Sequence, residues 1–191
     1  NFLMNEMESK CLDVLVPRGL LGYGDEVLSA SVSAEGLCPL RISWQGGRIS
    51  GLEAIHNPSS LPLKLLLPRF VEPHAHIDKA FTWDEFPGLT GSYQEALDAN
   101  LLEHKHRSIQ TVYSRAERSL TIALTNGCRA VRSHVDSLDG CAEQSWEPLL
   151  DLRRKWSGLI ELQLVALVPL EYWSTSKGKL FAARVARERG L

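Results

Sequence analysis

The segment that decides the fold of this chain is Phe70-Val71-Glu72-Pro73-His74-Ala75-His76-Ile77-Asp78. Side chains on a β-strand change face at every residue, so the apolar residues share one face and Glu72, His74, His76 and Asp78 share the other. Along such a strand two alternate residues are about 6.5 to 7 Å apart, which lets both imidazoles bind one divalent metal ion at about 2.0 to 2.1 Å. His74 and His76 are therefore candidate metal ligands. The alternative is a half-exposed strand whose polar face meets water.

The apolar run from Leu61 to Leu67 leads directly into this segment. It predicts that the two histidines lie at the far end of a buried strand. Because an unsatisfied polar group in a protein interior costs about 1 to 3 kcal/mol, buried imidazoles need partners. This context favours the metal-site interpretation.

Strand and helix patterns alternate after the histidine pair, which is typical of parallel βα units. Ser92-Tyr93-Gln94-Glu95 has the form of a capping box that opens a helix. The predicted elements are a helix from Ser92 to about Leu102, a helix ending at Asn126-Gly127, a strand over Arg129–Val135, a helix around Trp146 ending near Ser157-Gly158, a strand over Ile160–Val168 and a helix over Ser176–Arg189.

Residues 1 to 60 have a different pattern, of short strands separated by turns. The predicted strands are Leu12–Val16, Val27–Val32, Leu40–Trp44 and Arg48–Ile55, with Gln45-Gly46-Gly47 as a tight hairpin connection. We therefore predict two domains, residues 1–60 and residues 61–191.

The histidine segment, continued by Lys79, and the later stretch Arg132-Ser133-His134-Val135-Asp136 resemble the cytosine deaminase branch of the amidohydrolase superfamily. The continuation through Thr82 is also similar to triazine-ring amidohydrolases of that branch. The resemblance implies an α/β fold: the N-terminal part of a (β/α)8 metal-dependent hydrolase barrel, preceded by strands of a small β-sandwich. A barrel has eight βα units, and residues 61–191 supply three, so the chain covers only part of the family.

The resemblance also implies the chemistry. In that family the His-x-His pair supplies two metal ligands, here His74 and His76, and the metal would be zinc or iron. The other ligands and the proton-shuttling glutamate would lie beyond Leu191, so no catalytic residue is assigned within the chain. A bound metal lowers the pKa of water towards about 7, which suits hydrolysis of a C–N bond. The expected substrate is a small nitrogen heterocycle that resembles cytosine or a triazine.

Further candidates lie close to the histidine pair in the predicted fold. Asp78 shares the face of the ligands and could orient an imidazole, or simply begin a loop. His134 shares a strand face with Arg132 and Asp136. It could contact substrate, or it could be an interior histidine held by Arg132 or Asp136, and Asp136 is a second candidate for supporting the site.

Substrate contacts are also predicted after the third barrel strand. Cytosine deaminases have a glutamine there, whereas this chain has Val168-Pro169-Leu170-Glu171-Tyr172. This departure argues against cytosine itself and makes Glu171 a candidate acceptor for the N–H groups of another heterocycle, with Tyr172 or Trp173 against the ring. The alternative is an ordinary loop with an aromatic plug. The other histidines, His56, His104 and His106, are predicted to be surface residues.

Composition narrows the class of protein. The chain has 191 residues, of which 44% are apolar and 23% charged, with a net charge of −2, as in an ordinary globular protein. Its basic residues are scattered, which argues against nucleic-acid binding. Neither a signal-peptide stretch in Asn1–Lys10 nor a membrane-length apolar run is evident, so we expect a cytoplasmic protein. The four cysteines form no Cys-x-x-Cys pair and are expected to be reduced.

Two other functions are compatible with the same residues. One is a ring-opening cyclic amidase that binds two metals, and the other is a catalytically inactive, truncated barrel that only packs against a partner. A three-stranded parallel sheet would have two open edges, which predicts association and leaves a homo-oligomer open.

Overall fold

The computed structural model describes residues 10–22, 32–56, 64–87, 91–138 and 140–191. The chain is a mixed α/β protein that divides into two compact units, Asn1–Pro68 and Arg69–Leu191. The division falls later than the boundary predicted at residue 60. The reason is that Lys64–Leu65 pairs with a strand of the first unit.

The first unit contains a four-stranded sheet. Its strands are β1 (Lys10–Pro17), β2 (Leu37–Gln45), β3 (Arg48–Ala54) and β4 (Lys64–Leu65), in the order β3-β2-β1-β4. β1, β2 and β3 pair antiparallel, while β4 runs parallel to β1. The buried core of the sheet is small and consists of Val14, Val16, Cys38, Leu40 and Ile42.

The predicted hairpin is confirmed. Gly46 and Gly47 connect β2 to β3 with φ angles of 58° and 73°, a conformation that glycine adopts without the steric penalty of a Cβ. The strands predicted over Leu12–Val16, Leu40–Trp44 and Arg48–Ile55 are also present with small changes at their ends. The strand predicted over Val27–Val32 lies almost entirely outside the described residues.

The second unit has the predicted alternation of strands and helices. Its parallel sheet has the order β5 (Phe70–Ala75), β6 (Cys128–Asp136) and β7 (Glu161–Leu167). The helices are α1 (Tyr93–His106), α2 (Ile109–Thr125), α3 (Cys141–Lys155) and α4 (Ser176–Arg187). The apolar core lies between sheet and helices and is centred on Trp146, Leu149, Leu152 and Leu164, which are fully buried.

The helix ends follow the local sequence signals. The Ser92 hydroxyl accepts a hydrogen bond from the Glu95 backbone N–H at 3.2 Å and caps α1, as predicted. Helix α2 is followed by Gly127 with a φ of 85°, the left-handed conformation that ends many helices. Helix α1, however, continues to His106 rather than ending near Leu102.

The prediction that the histidines end a buried strand is wrong for this chain. Phe70 and Val71 in β5 are 52% and 56% exposed, and among the described strands of this sheet β5 is an edge strand that pairs with β6 alone. Leu65, Leu66 and Leu67 are exposed as well.

Within the described parts of the chain, no helix combines the length and the apolar character that crossing a membrane requires.

Candidate metal and substrate site

The backbone ladder between β5 and β6 stops between the two candidate ligands, His74 and His76. Its last pair is Ala75 with Ser133. Beyond it, three bonds that involve side chains hold the chain against β6: His76 Nδ1 to the His134 carbonyl oxygen at 2.9 Å, the Ile77 N–H to Ser133 Oγ at 3.2 Å, and the Asp136 N–H to Asp78 Oδ2 at 3.1 Å. The segment from His76 to Asp78 is therefore fixed by side chains at the carboxyl end of the sheet.

Three imidazoles meet at this edge. The ring centroids of His74 and His76 are 5.3 Å apart, and the ring of His134 stacks on that of His74 at 4.0 Å with an interplanar angle of 20°. The sequence predicted that His74 and His76 point the same way and that His134 lies nearby. The structure brings all three together.

The spacing of His74 and His76 suits a shared metal ion. A metal about 2.0 to 2.1 Å from a ring nitrogen lies roughly 3.2 Å from the centroid of that ring, so two rings at a tetrahedral angle would have centroids roughly 5 Å apart. The observed separation is 5.3 Å. The distance between the two rings is therefore compatible with both of them binding one ion.

The hydrogen bond of His76 prepares its ring for ligation. A carbonyl oxygen can only accept, so Nδ1 of His76 must carry the proton in its bond to His134, and Nε2 of the neutral ring has the free lone pair. Burial, reinforced by the nearby Lys79 ammonium, lowers the pKa of His76. A neutral imidazole whose second nitrogen is held by a carbonyl is the form in which histidine binds metals.

Neither predicted interior partner holds His134. Arg132 donates to Gln163 Oε1 at 2.9 and 3.0 Å instead, and Asp136 is bonded elsewhere. Nδ1 of His134 is buried and has no hydrogen-bond partner of good geometry among the described residues. Burial and the adjacent His74 ring lower the pKa of His134, while the backbone of Ala75 has a weaker, opposing effect. The ring is therefore a neutral group with unused hydrogen-bonding capacity.

Asp136 is the centre of a polar cluster. It accepts from Lys79 Nζ at 2.9 and 3.0 Å, from His104 Nε2 at 2.9 Å and from Asn100 Nδ2 at 3.3 Å. Burial alone would raise the pKa of Asp136, but the hydrogen bonds from His104 and Lys79 and the positive charges of Lys79 and Arg107 outweigh it and hold the pKa far below its ordinary value. The prediction that His104 is a surface residue is wrong, because α1 carries its ring to the end of β6. His56 and His106 are exposed, as predicted.

Asp78 is fully buried, and its carboxylate bonds to Arg107 and to the backbone of Asp136 rather than to an imidazole. Its Oδ2 accepts from Arg107 Nη1 at 3.2 Å and from the Asp136 N–H, while Oδ1 has no partner among the described residues. Burial raises the pKa of Asp78 to about 6 against the opposing charge of Arg107. The His76 ring is oriented by the backbone carbonyl of His134. The Asp78 side chain bonds to β6 two residues later, at the Asp136 N–H.

A cavity of about 1040 Å³ opens beside His76. Its polar wall is formed by His76, Lys79, Asn100, His104 and Asp136, and its apolar wall includes Phe81, Trp83, Phe86, Leu138 and Val168. A mostly apolar cavity with a few convergent polar groups is the usual form of a small-molecule site. Lys79, Asn100 and His104 were not predicted from the sequence as parts of the site.

Glu171 lies apart from this cavity. It is exposed in a short 3-10 turn (Leu170–Ser174), whereas the cavity wall ends at Pro169. The ring of Trp173 stacks on Phe181 at 6.0 Å, and both Tyr172 and Trp173 pack against the core. These contacts agree with the aromatic plug that was the alternative for this loop. The role of Glu171 in substrate binding stays a prediction.

Over residues 10–22, 32–56, 64–87, 91–138 and 140–191, no group of three or more His, Cys, Asp or Glu side chains is arranged to hold a metal ion. His74 and His76 therefore form part of a candidate metal site. A complete coordination sphere would need further donors.

The chain was compared with protein-family models, curated proteins and solved structures. No protein-family model matches the chain. Its curated and structural neighbours are deaminases and amidohydrolases, which confirms the resemblance to the cytosine-deaminase-like part of the amidohydrolase superfamily.

Three known proteins show how far the similarity extends along the chain. The chain is 33% identical over 127 residues to a pterin deaminase of Rhizobium rhizogenes, a match that covers 66% of this chain and 29% of the relative. It is 22% identical over 163 residues to N-isopropylammelide isopropyl amidohydrolase of a Pseudomonas species, covering 83% of this chain and 39% of that protein. The crystal structure of 5-methylcytosine deaminase from Klebsiella pneumoniae with 5-fluorocytosine matches with a TM-score of 0.58 and 25% identity, covering 68% of this chain and 33% of that one. The chain thus spans about a third of the length of these relatives.

Proposed function

We propose that the intact protein is a metal-dependent hydrolase of C–N bonds, and specifically an aminohydrolase that deaminates a nitrogen heterocycle. The observation that carries this proposal is the pairing of His74 and His76 at the carboxyl end of β5, with Nε2 of His76 left free by the bond from Nδ1. The activities named for the relatives, on pterin, 5-methylcytosine and N-isopropylammelide, support it.

In this proposal His74 and His76 hold a divalent cation, zinc or iron, both of which accept imidazole ligands. The metal, when bound, would lower the pKa of a water molecule so that hydroxide is available near neutral pH. The remaining ligands and the groups that move protons would come from parts of the intact protein outside these 191 residues. On the same basis, we infer that the second unit is the start of a (β/α)8 barrel and the first unit is part of a small β-sandwich.

The substrate would lie in the cavity beside His76. Aromatic side chains such as Trp83 can pack against the face of a heterocycle. His134 does not line this cavity, but its ring stacks on that of His74, which makes it a candidate for contact with a substrate bound at the metal. Asp136 would support the site by holding Lys79 and His104 in place. Asp78 would support it by fastening the His76–Asp78 segment to the end of β6.

Ammonia release by the intact protein tests this proposal. A panel of pterin, cytosine, 5-methylcytosine, guanine and an aminotriazine should include at least one substrate that is deaminated, with loss of activity in His74→Ala and His76→Ala. His106→Ala, which changes an exposed histidine on α1, is the matched control and should keep full activity. A metal-loaded protein that deaminates no member of the panel, or whose turnover is unchanged in both His74→Ala and His76→Ala, would contradict the proposal.

A further inference from the structure

One buried cation joins the segment after β5 to the end of α1. Arg107 follows α1 directly, and its side chain is completely buried. Its guanidinium donates to Glu103 Oε2 from Nε at 2.9 Å, to Asp78 Oδ2 at 3.2 Å and to Ser145 Oγ at 3.1 Å, and lies 3.5 Å from Asp136 Oδ2. A single arginine thus contacts carboxylates from three different elements.

The contact with Asp78 connects Arg107 to the candidate ligand His76. The Asp78 carboxylate accepts the N–H of Asp136, and two residues earlier in each segment the His76 ring donates to the carbonyl of His134. Both bonds lie beyond the last backbone pair of β5 and β6. The orientation of the His76 ring therefore depends on the same short segment that the Asp78 side chain fastens to β6.

We propose that Arg107 is a positioning residue for the His76 ligand. From the end of α1 it holds the Asp78 carboxylate, and Asp78 in turn holds the His76–Asp78 segment so that Nε2 of His76 is presented for metal binding. This inference deepens the proposed function and rests on it.

The other carboxylates of the cluster have a second cation. Glu103 Oε1 accepts from Arg115 Nη1 at 2.6 Å, and Asp136 is bonded to Lys79. Asp78 has no bonded cation besides Arg107 among the described residues. Loss of Arg107 would remove the Nη1 donor that orients Oδ2 of Asp78. The Asp78 carboxyl group would then no longer be held towards the Asp136 N–H, and the link from α1 to the His76–Asp78 segment would be lost.

The alternative to a positioning role is that Arg107 only stabilises the fold. A substitution at Arg115 distinguishes these two explanations. Arg115 binds the same Glu103 carboxylate but makes no bond to Asp78. Arg115→Met therefore removes a cation from the same cluster without acting on the His76–Asp78 segment. It serves as the matched control for Arg107→Met.

The experiment measures zinc affinity of the intact protein by competition with a chromophoric chelator, together with thermal stability. Arg107→Met should weaken zinc binding by about tenfold or more, the usual effect of removing a group that supports a metal ligand, while Arg115→Met should leave zinc affinity unchanged. Arg107→Lys, which keeps the charge, should lie between wild type and Arg107→Met. Asp78→Ala, which removes the same link at its other end, should weaken zinc binding to a similar degree as Arg107→Met.

A second readout does not need metal. Nitrogen-15 chemical shifts of the histidine rings report which nitrogen carries the proton, and wild-type His76 should be protonated at Nδ1. Arg107→Met should reduce that preference, and Asp78→Ala should reduce it to a similar degree. If Arg107→Met keeps both the tautomer and the zinc affinity while losing as much stability as Arg115→Met, the positioning role is overturned. A wild-type protein that binds neither zinc nor iron but shows the Arg107-dependent tautomer would contradict the proposed function and leave the positioning of His76 supported.

Discussion

Lys79 donates to both carboxylate oxygens of Asp136, at 3.0 and 2.9 Å, and so ties the segment after β5 to the end of β6. The Lys79 side chain is 22% exposed and that of Asp136 is 9% exposed. This ion pair lies in the wall of the cavity beside His76. The positive charge of Lys79 and the negative charge of Asp136 therefore compensate each other in this part of the cavity wall.

The stability of the protein should decrease in acid because of Asp136. The native pKa of Asp136 is far below its ordinary value, so the unfolded state, with a pKa of about 3.9, binds a proton first as the pH falls. The contribution of Asp136 is therefore fully present above about pH 5 and is lost progressively below about pH 4. Unfolding free energy measured against pH should show a shallower acid limb in Asp136→Asn than in wild type. Asp151→Asn, at an exposed position, is the control, and an unchanged acid slope in Asp136→Asn would rule out this account.

Replacement of His104 on helix α1 should destabilise the protein more than replacement of His106 on the same helix. His104→Ala removes a 2.9 Å hydrogen bond to the Asp136 carboxylate, and a hydrogen bond to a charged group is worth about 1.5 to 3 kcal/mol. Urea unfolding measures the loss. His106→Ala, two residues further along the same helix and exposed, should change stability by no more than about 0.5 kcal/mol. Equal effects of the two substitutions would refute the structural role of His104.

Gly178 should tolerate no side chain. A Cβ at this position would lie within 3 Å of three backbone atoms of Tyr172 and Trp173, among them the Tyr172 carbonyl oxygen, and backbone atoms cannot move aside as a side-chain tip can. Gly178→Ala should therefore destabilise the packing of α4 on the preceding turn by about 1 to 3 kcal/mol or more. Gly19→Ala is the control, since a Cβ at Gly19 meets nothing within 4 Å. Wild-type unfolding behaviour of Gly178→Ala would show that this close approach is absent in solution.

Local signals in the sequence were sufficient to predict much of the fold. The Gly46-Gly47 turn, the Ser92 cap and the glycine after α2 each act through contacts within a few residues, so short windows of sequence contain the information. The alternation of side chains along β5 similarly placed His74 and His76 on one face. These features depend on backbone geometry that every chain shares.

The charged cluster around Asp136 and Asp78 could not be predicted in this way. Helix α1 buries Glu103 and half-buries His104 instead of an apolar stripe, so periodicity gave no sign of a buried face and the helix was predicted to end near Leu102. Its contacts with β6 span about thirty residues of sequence. The weak signal that was available is the polar pattern in which Glu103 and His104 lie four and three residues before Arg107, a spacing that places each of them on the same side of a helix as Arg107.

The proposed function requires above all that the intact protein binds a metal ion at His74 and His76. Elemental analysis and zinc titration of purified protein should find about one zinc or iron per chain, as expected for a catalytic site, and a large loss of affinity in His74→Ala and His76→Ala but not in His106→Ala. Wild-type protein that binds neither metal, or His74→Ala and His76→Ala proteins that bind metal as tightly as wild type, would contradict the central claim.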